Sequence, residues 1–142
     1  MSSQRLGRQA RTVGISFDFN AETLTLRETA AADATPEDFI ENLAKFEAAL
    51  PEGAALCCLA DYREIQMDFS SAQISTMKQA TNAMLIRRNA SARTALVVSE
   101  PLYYGLARMY SMVEPTPAFE VAVFREMAEA EAWLGIDAIE PG

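Results

Sequence analysis

Histidine is absent from the 142 residues, and only two cysteines and two lysines, Lys45 and Lys78, are present. Without an imidazole, acid–base chemistry near neutral pH falls to a shifted carboxylate, a lysine or a cysteine, and a zinc site of the usual kind has no ligand set. No glycine-rich phosphate loop occurs, and no serine, lysine or cysteine sits in a nucleophile signature. The two cysteines, Cys57 and Cys58, are adjacent in an apolar run. In a strand their side chains point to opposite faces, which argues against a disulfide and for two small core residues in a reducing compartment. Hydrophobic runs stop far short of the ~20 residues that cross a bilayer. The opening MSSQRLGRQAR lacks the apolar core of a secretion signal, so a cytoplasmic protein without membrane insertion is expected.

Half of the residues are hydrophobic and 23% are charged, a balance that supports a folded core and argues against disorder. The length suits one domain. Net charge is −8; Arg5, Arg8 and Arg11 are the only charged residues of the first eleven, so residues 12–142 carry −11. An acidic body repels nucleic-acid phosphates and anionic lipid heads. The expected organisation is a flexible basic arm over 1–11, a single domain over 12–136 and a tail over 137–142.

Along the chain, period-two alternation places Val13, Ile15, Phe17 and Phe19 on one face, and Leu24 and Leu26 on one face after Asn20-Ala21-Glu22. This predicts an antiparallel hairpin, with strands over 12–19 and 23–29. Thr35-Pro36-Glu37-Asp38 supplies a helix cap, a proline at the first helical position and first-turn acids, and Phe39, Ile40, Leu43, Phe46 and Leu50 follow at helical spacing. Residues 55–60 read as a central strand covered on both faces. A helix is predicted over 71–88, with Ser70 as cap, Gln73 closing a capping box and Phe69 with Ile74 as a hydrophobic staple. A strand over 94–98, a helix over 101–113 carrying Leu102, Leu106, Met109 and Val113 on one side, a strand over 119–124 and a helix over 127–134 stopped by Gly135 complete the order. Alternating strands and helices require parallel strands joined by crossovers. The expected fold is therefore α/β, a five-stranded mixed sheet with an N-terminal hairpin and about four helices.

A strand ending at Asp61, serines nine and ten residues later at a helix start, Tyr104-Gly105-Leu106-Ala107-Arg108-Met109, Val123-Phe124-Arg125, and Ala130-Glu131-Ala132-Trp133-Leu134-Gly135 together resemble bacterial proteins of the SpoIIAA-like, STAS-related class. The resemblance implies a SpoIIAA-like domain with a non-catalytic regulatory or signalling role and no cofactor. In anti-sigma-factor antagonists of that class, a serine between strand and helix is phosphorylated by a partner kinase. Ser70 or Ser71 matches that position, although Phe69 stands where the class carries an acid and Ala72 where it carries glycine. Phosphate would add nearly two negative charges at a partner-binding edge.

Two further readings concern ligands and self-association. The carboxyl ends of parallel strands are the usual ligand location in open α/β sheets, and here they gather Asp61, Tyr62, Arg63, Ser99, Glu100, Tyr103 and Tyr104. Tyrosines and a bidentate arginine suit a small polar or amphipathic molecule or a protein partner. The alternative function is a carrier of a small apolar ligand, implied by the similarity of such folds to CRAL-TRIO lipid carriers. Met84, Tyr103 and Tyr110 are read as an apolar patch that a second copy would cover, giving a homodimer. A catalytic or metal role has no candidate residues, and no enzyme activity is expected.

Overall fold

The computed structural model describes residues 14–66, 69–113 and 116–136. The basic arm with Arg5, Arg8 and Arg11, the start of the predicted first strand and the tail from 137 lie outside the described residues. Five strands form one sheet in the order β1-β2-β3-β4-β5: β1 (Ile15–Asn20), β2 (Thr25–Ala30), β3 (Ala55–Asp61), β4 (Ser91–Val97) and β5 (Phe119–Phe124). β1 runs antiparallel to β2, and every other pair is parallel. Four helices follow: α1 (Pro36–Ala49), α2 (Ser71–Arg87), α3 (Pro101–Met112) and α4 (Met127–Leu134). The described residues are thus α/β, with a five-stranded mixed sheet and four helices, as the patterning predicts. No described helix is long and apolar enough to cross a membrane.

Each crossover moves the chain one strand along in the same direction, so connections of one hand place their helices on one face. Helices α1, α2 and α3 accordingly share a core with Leu26, Leu56, Cys58, Ala92, Leu96 and Phe119 of the sheet. α4 follows β5 and covers the opposite face, where Leu59, Ala95 and Val97 meet Ala130 and Leu134. Period two sends neighbouring residues to the two cores. Cys58 is buried among α1–α3, whereas the Cys57 thiol lies 3.9 Å from the Leu134 carbonyl oxygen, and both cysteines are free.

The hairpin turn differs in detail from its prediction. Asn20 Oδ1 accepts from the backbone N–H of Glu22 (2.9 Å) and Thr23 (3.2 Å), and the turn continues to Leu24, which adopts φ 55°. A left-handed residue cannot continue pleated alternation, so β2 begins at Thr25, two residues later than predicted. Phe17 and Phe19 pack edge-on against Phe46 of α1, with ring centroids 5.7 and 5.3 Å apart. Thr35 and Asp38 form a reciprocal capping box at the start of α1, and at its end Arg87 holds Glu47 in a bidentate pair while Arg88 donates to the Leu50 carbonyl.

Two expectations on α3 are corrected. Leu102 is 61% exposed and Met109 also faces water; the buried face carries Ala107 and Tyr110, flanked by Tyr103 and Leu106. α3 is apolar on several sides, and the ring of Tyr110 decides its rotation: it packs edge-on between Phe39 and Phe119, both centroids 6.4 Å away, and buries far more area than Leu102 would. The patch read from Met84, Tyr103 and Tyr110 therefore does not exist, because Met84 and Tyr110 are core residues.

Candidate ligand pocket

β2 should present only apolar residues to the α1–α3 face, where Leu26 and Ala30 lie. Between them, at an inward position by the same alternation, stands Glu28. Its Oε2 accepts from Asn42 Nδ2 of α1 at 2.9 Å, and its Oε1 accepts from the Tyr62 hydroxyl at 3.2 Å. Glu28 keeps part of its surface accessible, yet protein surrounds the carboxyl. Burial pushes its pKa from 4.5 up to about 7, against the smaller opposing pull of the two hydrogen bonds. Among the described residues, burial and these two hydrogen bonds are the causes that set that balance.

Glu28 lines two small adjoining cavities between the sheet and the helices, of about 70 and 60 Å³, together with Phe39, Thr94 and Tyr110. The first lies at the carboxyl ends of β3 and β4, walled by Ala60, Tyr62, Leu96 and Val98 from the sheet side and by Ile74, Met77 and Ala107 from α2 and α3. Phe69, Tyr103 and Leu106 are only partly buried and form its outer lip. The second extends beneath α1 and α2 toward Phe46, Leu56 and Leu85. Within this space Tyr110 and Thr81 share a hydrogen bond between hydroxyls at 3.4 Å. Burial, reinforced by the nearby Glu28 charge, holds the hydroxyl of Tyr62 and the thiol of Cys58 well above their ordinary pKa values, and burial likewise raises Tyr110.

The structure divides the rim residues read from sequence. Tyr62 and Tyr103 line the apolar cavity. Asp61 and Arg63 pair with each other at 2.9 Å; burial works to raise the Asp61 carboxyl, but the Arg63 side-chain and backbone hydrogen bonds outweigh it and hold it below the ordinary range. Arg63, Glu100 and Tyr103 border a separate open groove with Gln66 and Leu102. Ser99 donates to the Arg63 carbonyl at 3.1 Å, and the Arg125 guanidinium lies 5.6 Å from the centre of the Tyr104 ring. At the start of α2, Ser70 Oγ accepts from the Gln73 N–H at 3.1 Å while Gln73 Oε1 accepts from the Ser70 N–H at 2.8 Å. The Ser70 hydroxyl is thus held by the cap, and Ser71 is exposed.

Sequence reasoning missed Glu28, Asn42 and Lys78. The first had a legible signal: an acid in the inward series Leu26, Glu28, Ala30 breaks the apolar alternation of a buried strand face. Among the described residues, no group of histidine, cysteine or carboxylate side chains is placed to hold a metal ion. The fold and pocket define an α/β domain with an acid-floored apolar cavity. Compared with protein families, with curated proteins and with solved structures, the chain matches none.

Proposed function

We propose that this chain is a non-catalytic binding module that takes a small, largely apolar molecule into the pocket between the sheet and helices α1–α3. The observation that carries the reading is a carboxyl at the base of an apolar, aromatic-lipped cavity at the carboxyl ends of parallel strands, where open α/β sheets place their ligands. A cavity of about 70 Å³ is under half of the ~150 Å³ that accommodates benzene in an engineered core, so it suits a short chain rather than a lipid. The thiol and phenols around Glu28 are held protonated, which leaves no nucleophile beside it near neutral pH.

Native mass spectrometry of gently purified protein, with 1-butanol titration followed by methyl chemical shifts, tests this. The expected result is a bound small molecule, or butanol shifts confined to Ile65, Ile74, Met77 and Leu106, and loss of either in Ala107→Leu, which fills the cavity while unfolding cooperatively. A protein that carries nothing and whose pocket methyls ignore butanol would end the proposal.

A second reading, a partner-binding edge around Asp61 to Ser71, rests on the SpoIIAA-like resemblance and on the exposure of Ser71 at the start of α2. Phosphopeptide analysis of protein from its native cell tests it. Modified Ser71 supports this reading, and unmodified Ser70 and Ser71 count against it.

A further inference from the structure

The pocket combines one carboxyl with a concentration of aromatic rings. Phe39, Tyr62, Phe69, Tyr103 and Tyr110 all line the same small cavity as Glu28, and none of its lining residues is basic. A carboxylate can accept about four hydrogen bonds; Glu28 receives two, from Asn42 and Tyr62. When ionised it therefore leaves unanswered lone pairs and an uncompensated charge against apolar walls, an arrangement that is costly unless a cation joins it. Ring faces around a carboxylate attract organic cations, because the aromatic quadrupole and the anion act on the same charge. The fold already sets a cation against rings beside this pocket: the Lys78 ammonium lies 5.2 Å from the Tyr110 ring centre and 5.0 Å from that of Phe119. Lys78 itself lines neither cavity.

From these observations, and resting on the pocket reading above, we propose that the ligand class is a small alkylammonium, its charged nitrogen on the free lone pairs of Glu28 and its short apolar tail among Phe39, Phe69, Tyr103 and Leu106. A carboxylic acid of the same size would instead set a second negative charge beside Glu28. A neutral alcohol would fill the apolar volume while leaving the charge unanswered. The cavity size limits the tail to a few carbons.

The test is an NMR titration of the full chain above pH 7 with n-butylamine and, separately, 1-butanol, which match in length and differ in charge. The wild type should bind the amine about tenfold more tightly than the alcohol. Glu28→Gln keeps the shape and removes the charge, so the preference should fall to about onefold with alcohol binding retained. Alcohol binding without amine preference overturns the ammonium assignment and leaves the pocket reading standing. An amine preference that survives in Glu28→Gln also overturns it, because the carboxylate is then not its source. Binding of neither compound removes both readings.

Discussion

Lys78→Met is expected to lower stability by about 3 kcal/mol and the unfolding midpoint by roughly 10 °C. Lys78 has no exposed surface at all, which is unusual for a residue with an ammonium group. Its Nζ donates to the carbonyl oxygens of Tyr110 at 3.0 Å and Val113 at 2.9 Å, at the end of α3, where the Tyr110 carbonyl also accepts from the Val113 N–H at 3.3 Å. A cation there also meets the negative end of the helix. Methionine preserves the length and much of the packing but leaves those carbonyls without this donor and removes the charge from between two rings. Burial is the reason the effect is large: a solvated lysine, such as exposed Lys45 on α1, contributes little. Urea and thermal unfolding of Lys78→Met beside Lys45→Met check the claim. Equal, small losses in the two variants would show that Lys78 is not a structural cap.

Glu28→Gln should change how stability depends on pH. The Glu28 pKa rises from 4.5 to about 7 on folding, so between those values the folded chain holds a proton that the unfolded chain releases. Stability from this group is complete below pH 4.5 and is lost as pH rises through 7. The loss amounts to about 3 kcal/mol. The groups that face Glu28 are Asn42 from α1, Cys58 and Tyr62 from β3 and its end, and Tyr110 from α3; none is positive, and the thiol and phenols stay protonated over this range. Glutamine does not titrate, so the variant should gain on the wild type steadily across this interval and be the more stable protein above pH 7. Parallel curves for the two proteins from denaturant unfolding at several pH values would rule out a proton held at Glu28.

What the sequence reveals about this fold depends on how local each signal is. The cap at Thr35, the capping box at Ser70, the proline at Pro36 and the glycine stop at Gly135 act within one turn, and the structure contains all of them. The boundaries of β5 and α4 follow directly from composition, whereas β4 begins at Ser91, three residues earlier than its apolar run, because Ser91, Ala92 and Arg93 pair with Ala55, Leu56 and Cys57 of β3. Pairing across strands carries no mark in the strand itself. The rotation of α3 is unreadable for a related reason: its apolar residues occupy more than one side, and the choice is made by rings on α1 and β5. At the pocket, Tyr62 and Tyr103 were legible from their place at strand ends. Asn42 was not, because its role exists only through Glu28, fourteen residues away.

The sheet's strands lie side by side in the order in which they occur in the chain. Every new strand from β2 onward docks on the one made just before it, so the architecture can be laid down as it leaves the ribosome, each edge serving briefly as the template for the next. The back face is the exception. Leu59, Ala95 and Val97 are covered only when Ala130, Trp133 and Leu134 arrive, so a nascent chain stalled after Phe124 would present a finished front, a bare apolar back and an open invitation to a chaperone.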